Sequence, residues 1–167
     1  MKKMVQAAVF CALIAVSSWL AIPLPGVALT LQTLAIALCG YCLSWKYALA
    51  AVAAYLTLGD FGLPVFSNFS GGIGWLVGPG GGYLFGFLLL GTTCGLPLKK
   101  RRRKVAAGMA GAVALHLCGA GWYAYSTHQT FAQALLVASA PFIVKDLLCV
   151  WLAEFAANKM GIFKKRT

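Results

Sequence analysis

Apolar stretches long enough, or nearly long enough, to cross a bilayer follow one another along almost the whole chain, and Lys and Arg gather in the gaps. A hydrocarbon core about 30 Å thick needs roughly 20 helical residues, with about 17 a workable minimum. Six segments meet or approach that length: Met4 to Ile22, closed by Pro23 and Pro25; about Ala28 to Ser44; about Trp45 to Phe61; Tyr83 to Leu98; Val105 to Tyr125; and Pro141 to Met160. The second, third and fourth are marginal, so tilt or partial crossing is expected of them. Apolar residues make up 61% of the chain and charged residues 10%, against roughly 45–50% and about 25% in soluble domains. So short and apolar a chain cannot cover itself with polar surface. That excludes a cytosolic enzyme, a disordered regulator and a disulfide-rich secreted scaffold. The expected fold is an all-α integral membrane protein, one membrane domain over residues 1–167.

The formal charge of +11, from 14 Lys and Arg against 3 Asp and Glu, would suggest nucleic acid in a soluble protein. Position argues for topology instead. Lys2 and Lys3, Lys46, the run Lys99-Lys100-Arg101-Arg102-Arg103-Lys104, then Lys159, Lys164, Lys165 and Arg166 flank the apolar segments. Basic loops stay cytoplasmic, and the inner leaflet is anionic. Six transmembrane helices with cytoplasmic N- and C-termini place these 13 of the 14 basic residues inside, leaving only Lys145 within the last span. The outer loops (Pro23 to Val27, Gly62 to Gly82, Ser126 to Ala140) then carry no Lys or Arg. The expected location is the cell (cytoplasmic) membrane, multi-pass, in contact with membrane lipids and without nucleic acid. The first apolar run is too long for a typical signal sequence and is read as a retained helix. Its Ala8 and Ala12 share one face, where small residues let another helix approach closely.

Catalytic groups are sparse. His116 lies within the fifth segment, where a hydrogen-bonded packing role is the simpler reading, and His128 lies in an outer loop. Cys39 and Cys42 form a C-x-x-C inside an apolar segment, without the βαβ context of a redox fold. No phosphate-binding G-x-x-x-x-G-K-[ST] occurs, so the chain does not use ATP by that route. Neither an enzyme, a metal site nor a cofactor is expected.

Three features remain. Thr30-Leu31-Gln32-Thr33 puts polar groups at the outer end of the second segment, where they need partners. Between Gly59 and Gly86, the outer loop joining the third and fourth helices holds 10 of the 19 glycines, together with Phe66, Asn68, Trp75 and Tyr83. Non-helical backbone at membrane depth is tolerated where it is buried in protein or lines a cavity. A folded cover dipping into the membrane face is therefore expected. Pro141-Phe142-Ile143-Val144-Lys145-Asp146 places two opposite charges about one turn into the last helix. Paired ionisable groups in membranes mark a pathway or a ligand, or form a structural ion pair that seals the bundle. Adjacent residues differ by about 100° around a helix, so a tight mutual pair is not the default.

Pro23-Leu24-Pro25 with Leu29 to Leu34, then Gly62-Leu63-Pro64-Val65-Phe66 with Gly71-Gly72, then Gly78-Pro79 with Gly81-Gly82-Tyr83-Leu84-Phe85-Gly86-Phe87, resembles the BioY family in order and spacing over nearly the whole chain. That family comprises the biotin-binding substrate (S) components of energy-coupling-factor (ECF) vitamin importers. The resemblance implies six helices around an outward-facing biotin pocket. It also implies docking on a transmembrane coupling protein that carries two ATPase subunits, with Ala8 and Ala12 similar to the docking face. Gly80 stands where the family's motif usually has threonine. In the last helix Asp146 matches the family's aspartate, Lys145 replaces a glycine, and Cys149 replaces a lysine. Residues 145 and 149 share one helix face, so a lysine stem from 145 can serve the place a lysine at 149 would serve.

Biotin suits such a pocket. Asp146 can accept from a ureido N–H, and Lys145 or Gln32 can donate to the ureido carbonyl, with charge-assisted bonds roughly twice as strong as neutral ones. Phe66, Phe142 and Tyr83 offer apolar walls. The tail carboxylate would meet the glycine-rich backbone or water at the mouth. Asn68 is implied as a further polar contact by the resemblance alone. The resemblance thus implies biotin uptake energised by ATP hydrolysis in partner subunits. The competing reading is a solitary transporter of another small vitamin-like solute, with Lys145 and Asp146 as a relay.

Overall fold

The apolar runs become helices in the computed structural model, which describes residues 1–22 and 29–161. Pro23, Pro25 and the rest of the first outer loop, Ala28, and Lys164, Lys165 and Arg166 lie outside the described residues. In chain order the helices are α1 (Lys2–Trp19), α2 (Gln32–Cys42), α3 (Trp45–Asp60), α4 (Ile73–Val77), α5 (Gly81–Cys94), α6 (Arg101–Thr127), α7 (Phe131–Ala138) and α8 (Ala140–Lys159). A 3-10 turn at Ser67–Phe69 precedes α4. Between α1 and α2, a two-residue antiparallel ladder sets Ala21 opposite Thr30.

Helix α2 is the hub, packed against α1, α3, α5 and α8. Its Gln32, Thr33, Ala35, Ile36, Ala37, Cys39, Gly40 and Tyr41 are all buried, as expected of a helix with neighbours all round. The most extensive contact is α5 on α6, and it depends on glycine. A Cβ on Gly82 would lie 2.7 Å from the Cys118 carbonyl oxygen, and one on Gly86 would lie 2.9 Å from Leu115 Cα. The backbones approach too closely for any side chain there. Large apolar side chains point outward instead, among them Val5 and Val9 on α1, Val113 and Leu117 on α6, and Leu148, Trp151, Leu152 and Phe155 on α8. Soluble monomers rarely expose so extended an apolar surface, and a surface of this kind suits contact with lipid.

Segment lengths differ from the expectation. Among the described helices only α6 is by itself long and apolar enough to cross a membrane, with α7 and α8 a second span if their 57° bend is counted as one broken crossing. The 11 residues of α2 rise only roughly 16 Å. The stretch from Ser126 to Ala140, expected to be loop, contains α7, opened by a capping box in which Thr130 Oγ1 accepts from Gln133 N–H.

Helix α6 also begins inside the basic run. Cationic residues oppose the dipole in a first turn, and here Glu154 of α8 offsets them. Arg101 Nε donates to Glu154 Oε1 and its Nη2 to Oε2, each at 2.8 Å. Glu154 is fully buried, while the Arg101 side chain is half-exposed. Removing one member of a buried pair is costlier than removing both, because it strands a charge. Arg101→Met is therefore expected to lower the thermal midpoint in detergent, and adding Glu154→Gln should recover most of the loss. A double variant no more stable than Arg101→Met would contradict this.

Candidate functional site

A cavity of about 620 Å³ opens beneath the glycine-rich segment, among α2, α3, α5, α6 and α8. Thr30, Gln32 and Phe66 line it, as do Asn68, Tyr83, Phe142, Lys145 and Asp146. Four separate stretches of chain thus bring all eight candidate residues to one space.

Its cover is folded. The chain reverses at Asn68 (φ 57°) and Phe69 (φ 56°), where Phe66 N–H donates to Ser70 O at 2.9 Å and Ser70 Oγ donates to Ser67 O at 2.5 Å. Asparagine tolerates the left-handed region better than most residues. The reversal sends neighbouring aromatics opposite ways. Phe66 is buried, seated on Gly59, where any Cβ would strike its ring, and edge-on to Tyr55 at 5.5 Å. Phe69 stacks on Trp19 at 4.9 Å. Trp19 Nε1 donates to Pro64 O at 2.8 Å and Ser18 Oγ to Val65 O at 2.6 Å, fixing the cover to the end of α1. Gly72 then turns the chain into α4 at φ 102°, a value that favours glycine, with its N–H donating to Gly59 O at 2.7 Å. Phe61 and Ile73 face outward rather than into the cavity.

Opposite charges stand at one side. Lys145 Nζ donates to Thr30 O at 2.7 Å and forms an ion pair with Asp146 Oδ1. This direct pairing of adjacent residues was not the default expectation; the long lysine stem spans the angle that separates the two positions. Nor does the pair seal the bundle, since both residues border open space. Cys149 is buried and does not line the cavity. His116 does line it, with Nε2 3.2 Å from Asp146 Oδ2. The sequence alone suggests a hydrogen-bonded packing role for His116; its burial agrees with packing, and its place on the cavity wall was not foreseen. The one available signal was that polar residues in membrane helices seek one another, which does not say which pairs meet.

Polar groups at the entry to α2 complete the wall. Thr30 Oγ1 donates to Gln32 Oε1 at 3.1 Å, and Gln32 Nε2 donates to Tyr55 Oη at 2.5 Å. One N–H of the Gln32 amide remains. Across the cavity Tyr83 Oη donates to Ala138 O and lies 2.7 Å from Ser139 Oγ, at the α7–α8 bend. Among the described residues no group of three or more His, Cys, Asp or Glu could hold a metal ion.

Ala8 and Ala12 lie elsewhere, exposed on α1 along a groove of about 910 Å³ between α1 and α3. Tyr55 borders both this groove and the cavity.

Residues 1–164 match the sequence profile of the BioY family. The chain is 39% identical over 163 residues to a biotin transporter BioY of Thermotoga maritima, covering 96% of each. It is 32% identical over 159 residues to a probable biotin transporter BioY of Pyrococcus horikoshii, covering 95% of this chain and 96% of that one. The fold is similar to the crystal structure at 2.1 Å of the S component for biotin from an ECF-type ABC transporter. The TM-score is 0.87 at 26% identity, over 95% of this chain and 90% of the other.

Proposed function

This chain belongs to the BioY family, and from that premise we propose that it binds biotin in the 620 Å³ cavity and delivers it across the cell membrane as the S component of an ECF importer. It is a transport component, not an enzyme. The observation that carries the reading is a buried Asp146 directly paired with a partly exposed Lys145, both bordering open space instead of filling it. An ammonium has three N–H donors. Asp146 and Thr30 O take two of them, leaving the third for the ureido carbonyl. Asp146 accepts from a ureido N–H, and the free N–H of Gln32 adds a neutral donor. The fused rings lie among Phe66, Phe142 and Tyr83, while the tail carboxylate reaches toward Asn68 and the Gly78–Gly80 backbone.

The cavity faces outward beneath its cover, with both termini and the basic run on the cytoplasmic side. Energy comes from ATP hydrolysed by two partner subunits. Their transmembrane coupling protein docks on the Ala8 and Ala12 face of α1. Equilibrium binding of labelled biotin to the purified protein in lipid nanodiscs tests the reading: saturable one-site binding at submicromolar concentration is expected. No binding at micromolar concentration would overturn it.

A further inference from the structure

We propose that His116 is a positioning residue that holds the Asp146 carboxylate open, so that the cavity selects ligands presenting a ring N–H; the inference rests on the biotin reading above. Two adjacent opposite charges left to themselves would close on each other, both carboxylate oxygens turning toward one ammonium. His116 prevents this from a different helix. Lys145 of α8 engages Oδ1, while the imidazole from α6 faces Oδ2 at 3.2 Å. Held at both oxygens from two directions, the carboxylate plane is fixed. Each oxygen still has a second lone pair for a ligand.

Burial decides which nitrogen faces the carboxylate. His116 is 3% exposed and neither ring nitrogen makes a hydrogen bond in this geometry, but Nε2 lies 3.2 Å from Asp146 Oδ2. A proton on Nε2 faces a carboxylate oxygen, whereas one on Nδ1 would be a buried donor with nothing to bond. The charged and titratable groups around it are Asp146 and Lys145 of α8 and Tyr83 of α5, whose ring meets the imidazole edge-on at 6.1 Å. The backbone beneath is tied as well, since Ser139 Oγ lies 3.4 Å from His116 O.

Three variants of the full chain test this by labelled-biotin binding. His116→Leu removes the donor and should raise Kd by about ten-fold or more, the usual effect of losing a hydrogen bond to a charged group. His116→Gln keeps an N–H near the place of Nε2 and should stay within about three-fold of wild type. His116→Asn, polar but too short to reach Oδ2, should behave like the leucine variant and serves if that one does not fold. On an Asp146→Asn background His116→Leu should add little. A biotin derivative methylated on its ureido nitrogens should bind wild type and His116→Leu equally weakly. Wild-type affinity in His116→Leu or His116→Asn, equal impairment in His116→Gln, or a full additive loss on the Asp146→Asn background would each overturn the proposal. Wild-type protein that binds no biotin would instead sink the functional reading itself.

Discussion

Asp146→Asn lowers biotin affinity by about 2–5 kcal/mol, roughly 30-fold to several-thousand-fold. The substitution keeps the shape of the side chain and changes its charge and one of its two acceptors. In the wild type the carboxylate satisfies Lys145 on one side and meets His116 on the other, and it is 4% exposed. The amide loses the charge-assisted bond to the ligand and leaves the Lys145 ammonium beside a neutral group. Stability should suffer less than affinity, because Lys145 is 22% exposed and can turn toward water. Thermal unfolding and biotin binding measured on the same preparation separate the two effects. Lys145→Met belongs in the same range, since it strands Asp146 and removes the donor to the ureido carbonyl. Retention of affinity within about three-fold by either variant would show that the pair does not grip the ligand. Wild-type affinity in Lys145→Met would also show that a lysine at 145 does not stand in for one at 149.

Apolar runs, the basic residues between them and the Pro141 turn made the main helices legible, because helix formation in an apolar setting is a local matter. The site was legible where residues next to each other in sequence carry it. Thr30 and Gln32 are two positions apart, Lys145 and Asp146 are neighbours, and Phe66 and Asn68 lie in one glycine-rich stretch. What could not be read required distances across the bundle. His116 reaches Asp146 from 30 positions away in the chain, and no periodicity records that meeting. The shortness of α2 was equally hidden, since Leu29 and Thr30 are as apolar or as neutral as helical residues. Their place in a ladder opposite Ala21 and Ile22 depends on where α1 ends. Thr130 and Gln133 did carry the spacing of a capping box, a local signal for α7 inside a stretch otherwise read as loop.

Ala12→Trp abolishes biotin uptake in cells that supply the coupling protein and both ATPases, while purified protein binds biotin within about three-fold of wild type. The groove beside Ala12 is walled by small residues from two helices, Ala8 and Ala15 on α1 and Ala50, Ala51 and Ala54 on α3. Such a surface suits close approach by another helix, where packing depends on the absence of side-chain bulk. An indole at 12 fills that space and holds a partner helix several ångströms away, beyond the range of dispersion contact. Binding survives because Ala12 is exposed and does not line the ligand cavity. Val9→Trp is the control, placing the same bulk on a position that is 62% exposed and outside the groove; uptake there should be retained. Co-purification of the ATPases should fall with Ala12→Trp and persist with Val9→Trp. Normal uptake by Ala12→Trp would remove the docking face from α1. Loss of binding in parallel with uptake would mean instead that the groove and the cavity are mechanically one, through Tyr55, which walls them both.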